Sequence, residues 1–200
     1  AREIVTGSSL PANDKLALLQ HMGFYHDAFK RAGTNVEAVK IENDQLLSSA
    51  AIRAQFPLPH KRVLDEVSKK YGINPNLVYA IMKTESSFSE NAVSPRGAMG
   101  LMQMMPFVAQ DLGARLSIDR ITDEHLTNPK VAIELGTLLL ATLKRQFNDH
   151  HLVVAAYNAG GHQVQKWLNL FKQTRDYVKK VLHTESLYHA LNGQELRLYF

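Results

Sequence analysis

The chain has 200 residues, 45% of them hydrophobic and 21% charged, with no cysteine and a formal net charge of +4. These figures exclude disordered, collagen-like and disulfide-scaffold classes, and a chain this long buries about 70% of its unfolded surface without a metal or disulfide staple. The longest aliphatic run, Leu138-Leu139-Leu140-Ala141, falls far short of the ~18 residues of a membrane span.

The chain opens Ala1-Arg2-Glu3-Ile4-Val5, with neither an initiator Met nor a charged-then-apolar leader. That start reads as the middle of a longer helix, as in a processed or excised fragment. Asn13 is placed to cap a helix carrying Leu16, Leu18 and Leu19 that ends at Gly23. A short helix over 25–32 follows, stopped by Gly33, and a third over 34–54 carries Leu46, Leu47, Ala50, Ala51 and Ala54. The pairs resemble a helical-repeat array, although no clean internal period emerges. Phe56-Pro57-Leu58-Pro59 interrupts helix twice. Residues 1–56 are therefore expected to form a helical flank, 57–60 a linker and 61–200 a second domain.

Beyond the linker the helices are well punctuated. One over 61–71 stops at Gly72, and Asn74 caps the next, which starts at Pro75 and runs to about Phe88. Pro106 and Pro129 are further first-position prolines, the latter capped by Asn128. The helix over 129–147 is apolar on most sides, through Val131, Ile133, Leu135, Leu138, Leu139 and Leu143, as a central buried helix should be. Helices over 152–158, 163–171 and 175–191 complete the set, with Trp167 expected to pack beside Leu168 and Leu170. Strand-like alternation is almost absent, so the expected fold is all-α.

One carboxylate stands out. Leu77, Val78, Ile81 and Met82 form an apolar stripe on the helix beginning at Pro75, and Glu85 continues it. Burial raises a carboxyl pKa, and the carbonyl end of a helix disfavours negative charge. Both effects favour the proton that a general acid must carry. The alternative is that the helix simply ends there, with Glu85 turned to solvent.

The segments that follow are distinctive. Glu85-Ser86 precedes Ser94-Pro95-Arg96-Gly97-Ala98-Met99 and Gly100-Leu101-Met102-Gln103, and then come Ala156-Tyr157-Asn158 and Thr174-Arg175-Asp176-Tyr177. In that order and spacing they resemble the catalytic domain of family 1 lytic transglycosylases, the soluble lytic murein transglycosylase group related in fold to goose-type lysozyme. The resemblance covers roughly residues 61–190. It implies a lysozyme-like helical domain, and it casts residues 1–56 as the end of an α-superhelical region. It also implies an enzyme that acts on peptidoglycan strands in the bacterial periplasm or cell envelope. No cofactor, metal or nucleic acid is expected, and the one further partner is an upstream superhelical domain of the same protein.

Residue by residue, the resemblance makes Glu85 the single acid/base. Ser94 would contact the acetamido region of the substrate, Gln103 belongs to the G-L-M-Q turn, and Met102 and Met105 would wall the sugar groove. Tyr157 and Asn158 would face the glycan, and Tyr177 is the late tyrosine. The implied reaction leaves a 1,6-anhydromuramoyl end, because the sugar's own 6-hydroxyl replaces water. Asp176 is the one carboxylate in these segments besides Glu85, and the implied mechanism needs only one where a two-carboxylate hydrolase needs a pair. Two positions depart from the family pattern: Leu139 stands where a tyrosine is common, and Gln173 where a glutamate is. A lysozyme-like hydrolase and a catalytically impaired glycan-binding module are the competing readings.

Other features have plainer accounts. Asp149-His150-His151 lacks the spacing that brings two imidazoles to one metal and reads as a solvated turn. The Met-rich run 99–105 could be adaptable core filler. Lys179-Lys180 reads as a helix surface, since no nucleic-acid signature accompanies it.

Overall fold

The computed structural model describes residues 25–32, 54–166 and 172–192. The chain divides into two compact units, Ala1–Pro59 and His60–Phe200. In the first, helix α1 spans Tyr25–Ala32, the extent its flanking glycines suggest, and buries Ala28 and Phe29. The helix expected after Asn13, all but the last residue of the one expected over 34–54, the repeat-like flank they would form, and Trp167 lie outside the described residues.

The second unit carries α2 (Lys61–Tyr71), α3 (Pro75–Ser86), α4 (Pro106–Gly113) and a 3₁₀ turn at Ala114–Leu116. It continues with α5 (Asp123–Thr127), α6 (Pro129–Gln146), α7 (His150–Ala159), α8 (Gly161–Lys166) and α9 (Lys172–Leu191). Among the described residues the sole β pairing is two isolated bridges, Val93 with Met99 and Met99 with Met104. The fold is all-α.

Local chemistry sets these boundaries. The Asn74 side chain accepts from Asn76 N–H, and Asn128 accepts from Lys130 and Val131 N–H, each directly before a proline that is pre-set for helix and has no donor to lose. Gly72 closes α2 at φ +67°, a backbone state that glycine adopts without cost. α3 stops at Ser86 rather than near Phe88, because Ser87 and Phe88 both turn to positive φ, 51° and 65°. The expected solvated turn at Asp149-His150-His151 is corrected. Asp149 caps α7 by accepting from Leu152 N–H at 3.0 Å, and His150, already helical, stands 2.8 Å from Oε2 of the buried Glu185. α9 likewise begins at Lys172, one turn before Arg175.

α6 and α3 form the centre. Ile133, Leu135 and Leu140 of α6 and Val78, Ala80, Ile81 and Met82 of α3 are fully buried. α3 packs on α9, where the rings of Tyr79 and Tyr188 stack at 5.3 Å. α2 lies on α6, where Glu134 accepts from Lys70 Nζ at 2.7 Å and from Tyr71 Oη at 3.2 Å. The segment between α3 and α4 passes over this core on glycines. A Cβ on Gly136 would stand 2.5 Å from Met102 Cε, and one on Gly100, at φ +75°, would stand 1.9 Å from the Leu126 carbonyl oxygen.

A backbone oxygen cannot step aside as a flexible side chain can. Gly100→Ala is expected to destabilise by about 2–4 kcal/mol through clash and backbone strain together. Gly97→Ala has positive φ but no atom within 4 Å of its Cβ, and should cost only about 1 kcal/mol. Urea unfolding of both variants checks the difference, and equal losses would contradict the packing described.

Candidate active site

Helix α3 delivers Glu85 to its own C-terminal turn, one turn beyond the buried Ile81 and Met82. The stripe that sinks those side chains leaves Glu85 half-buried, with its carboxyl on a cleft of about 460 Å³. From α9, Tyr177 donates its hydroxyl to Glu85 Oε1 at 2.6 Å. Three effects act on this carboxyl. Burial is the largest and raises its pKa above the ordinary 4.5, whereas the Tyr177 hydrogen bond and the positive charge of Lys180 oppose the rise. Burial wins, and the carboxyl holds its proton to higher pH than a free glutamic acid.

The two tyrosines stay neutral. Burial first, then the Glu85 carboxylate, pushes Tyr177 and Tyr157 well above the ordinary phenol value. Tyr157, on α7, lines the cleft and donates to the Met102 carbonyl at 2.8 Å. Its hydroxyl therefore holds the Gly100-Leu101-Met102-Gln103 segment in place.

That segment is pinned from several sides. Ser86 Oγ, the residue after Glu85, lies 2.9 Å from the Leu101 carbonyl and 3.1 Å from that of Met82, its one proton shared between them. Met99 and Met104 exchange both main-chain hydrogen bonds at 3.0 Å. Gln103 takes φ +47°, and its side-chain amide donates to the carbonyls of Ala92 and Gly100, both at 3.1 Å. Ser94 Oγ accepts from Ala98 N–H at 2.9 Å. The amide of Gln103 and the hydroxyl oxygen of Ser94 thus brace the walls of the cleft they line.

Glu85, Ser94, Gln103, Met105, Tyr157 and Asn158 all meet on the cleft. Tyr177 reaches it only through Glu85, and Met102 does not reach it. The expectation that the Met102 side chain walls the groove is corrected: it is fully buried, seated against Gly136, and only its carbonyl serves the site. Leu139 and Gln173, the two departures from the family pattern, both line the cleft.

Sequence reasoning passed over three contributors. Ser86 reads there as half of a motif, whereas here its hydroxyl fastens helix to loop. Lys180 lies on the exposed surface as expected, yet its charge acts on Glu85 and also on Lys83, whose pKa burial lowers to about 7 with help from Lys180. Its position three residues after Tyr177 was the available signal, since that spacing shares a helix face. Arg96 is the third, an exposed cation on the cleft wall.

The geometry has counterparts in known proteins. The family model described as "Transglycosylase SLT domain" matches residues 62–180. Membrane-bound lytic murein transglycosylase C of Actinobacillus pleuropneumoniae is 38% identical over 125 residues, which is 58% of this chain and 33% of that protein. Soluble lytic murein transglycosylase of Salmonella typhimurium is 31% identical over 161 residues, 72% of this chain and 25% of that protein. Among solved structures, the 70 kDa soluble lytic transglycosylase of Escherichia coli superposes with a TM-score of 0.77 at 25% identity, covering 96% of this chain and 32% of that one. An inactive glutamate-to-glutamine mutant of the lytic transglycosylase Slt of Pseudomonas aeruginosa gives 0.73 at 28% identity, covering 94% and 32%. The chain spans a third or less of the length of these relatives.

The carboxyl at the centre of this site has a stability signature. A raised folded pKa means that Glu85 contributes stability that is complete below its unfolded value near 4.5 and is lost as pH rises through the folded value. Glu85→Gln removes that pH-dependent loss. Urea unfolding at stepped pH should show the variant gaining on the parent as pH rises from about 4.5; a stability difference independent of pH would contradict the burial argument.

Proposed function

Because the chain belongs to the transglycosylase SLT domain family, we propose that it is a peptidoglycan lytic transglycosylase. It would cleave the β-1,4 bond between N-acetylmuramoyl and N-acetylglucosaminyl residues and leave 1,6-anhydromuramoyl ends. The observation that carries the reading is the Glu85 carboxyl, half-buried on a cleft and hydrogen-bonded through one oxygen to Tyr177. The relatives' names, with murein as their stated substrate, support the same substrate here and a setting in the bacterial envelope.

The geometry lends itself to one carboxyl acting twice. Oε1 accepts the Tyr177 proton, so the acid's own proton belongs on Oε2. From there it passes to the glycosidic oxygen as the bond to the leaving sugar breaks. The substrate's N-acetyl group would stabilise the cationic C1. The Glu85 carboxylate, now steadied by the Tyr177 hydrogen bond and the Lys180 charge, would then take the proton of the 6-hydroxyl as that oxygen bonds to C1. Among the described residues Glu85 is the one carboxylate on the cleft, which fits an intramolecular nucleophile better than a two-carboxylate hydrolysis. That the inactive Pseudomonas form exchanges a glutamate for glutamine is in keeping with such a role.

A second reading draws on Leu139 and Gln173, both on the cleft wall. With a phenol and a carboxylate absent there, the domain could bind glycan without turning it over. Digestion of purified sacculi by the intact protein, followed by mass spectrometry, decides among the readings. The proposal expects fragments lighter by one water than hydrolytic products. Hydrolytic masses would instead identify a muramidase, and binding without release of fragments would identify the impaired module.

Glu85→Gln should retain glycan binding and lose about 10²–10⁴-fold or more in turnover; activity within about tenfold of the parent overturns the assignment. Tyr177→Phe removes a hydrogen bond that favours the carboxylate, so the alkaline limb of its pH–rate profile should move to higher pH. Tyr157→Phe loses a loop brace and should lower the rate while leaving that limb where it is. A Tyr177→Phe limb that stays in place, or moves to lower pH, contradicts the roles given to the two phenols.

A further inference from the structure

The geometry points to Arg96 as a carboxylate-recognition residue that selects acid-bearing, muramoyl-type glycans over neutral ones. This deepens the transglycosylase reading and rests on it. Arg96 sits in a hydrogen-bonded turn of the cleft wall. Gly97 N–H donates to the Ser94 carbonyl at 2.9 Å, and Ser94 N–H donates to the Ala98 carbonyl at 2.8 Å. Ala98 N–H returns to Ser94 Oγ at 2.9 Å. Pro95 fixes the φ of the turn's first corner, and Gly97 turns the chain out at φ +82°. A short, four-residue turn held this way presents its third residue from a fixed backbone position.

The side chain is exposed and lines the same cleft as Glu85. Among the described residues it is the one cation on that lining, and no hydrogen bond or ion pair there engages its guanidinium. A guanidinium is a planar fork whose geometry matches a carboxylate in a two-point contact. A glycan of N-acetylglucosamine alone offers it nothing of that charge. A muramoyl residue does, because its 3-O-lactyl group ends in a carboxylate, either free or extended by a peptide that carries carboxylates of its own. The shared chemistry is a carboxylate on or beyond the lactyl arm.

The test measures binding in the Glu85→Gln background, where turnover does not intervene, with and without Arg96→Gln. Three tetrasaccharide probes are titrated: a denuded glycan with free lactyl carboxylates, the same glycan bearing tetrapeptide stems, and chitotetraose. A charge-assisted contact at an exposed site is worth about three- to tenfold in Kd. The expected result is that Arg96→Gln weakens one or both acidic glycans by that factor relative to chitotetraose and flattens their salt dependence. Arg96→Lys should recover part of the difference. Loss on the denuded glycan assigns the lactyl carboxylate itself, whereas loss confined to the stem-bearing glycan assigns a carboxylate of the peptide. Equal effects on all three probes, or none on any, overturn the inference while leaving the transglycosylase reading intact. Failure of the Glu85→Gln protein to bind any of the three removes both.

Discussion

The site depends on a contest over one proton. Helix α3 sinks its apolar stripe into the core, and Glu85 follows that stripe to the helix end, where burial favours the neutral acid. Tyr177 and Lys180 pull the other way. Unopposed burial would make a strong holder of protons and a weak acid, and unopposed stabilisation of the carboxylate would leave a weak base with nothing to donate. A group that must give a proton and then accept one is served by a pKa set between those extremes. Tyr177 is itself held neutral by burial and by the Glu85 charge, so it does not compete for the proton it helps to place.

Around that carboxyl the chain uses very short-range devices to fix a loop with little regular structure. Ser86 ties the helix end to Leu101, Tyr157 ties α7 to Met102, and Gln103 ties the loop back to Ala92 and Gly100. The conformations this demands, with Gly97, Gly100 and Gln103 all at positive φ, are strained for most residues. Polar cross-braces to α3 and α7, and within the loop itself, hold them. Positioning of catalytic groups to fractions of an ångström requires such support, and here the groups that brace the loop are in part the groups that line the cleft.

Much of this was legible in the chain. Asn-Pro pairs announced the starts of α3 and α6, Gly72 the end of α2, and the apolar spacing through Met82 put Glu85 on the buried face. Other features obeyed rules that a linear pattern does not carry. Met102 looked like a wall of the groove, but Gly136, distant in sequence, leaves a notch that takes its side chain into the core. Asp149-His150-His151, without metal-site spacing, looked like a solvated turn, yet Asp149 supplies the cap and the buried Glu185 of α9 the partner. Phe88 extends the apolar run of α3, but the helix had already ended at the left-handed Ser87. For Met102 and His150 a tertiary partner decided the outcome, and for Phe88 a local reversal of the backbone did.

The account stands or falls on the ionisation of one side chain, and that can be read without substrate. The Glu85 carboxyl carbon, followed by ¹³C NMR through a pH titration and assigned by its absence from Glu85→Gln, reports its protonation directly. The account predicts an apparent pKa above the ordinary 4.5, rising further in Tyr177→Phe. A Glu85 that titrates at or below that value would contradict the claim that burial arms this carboxyl as an acid.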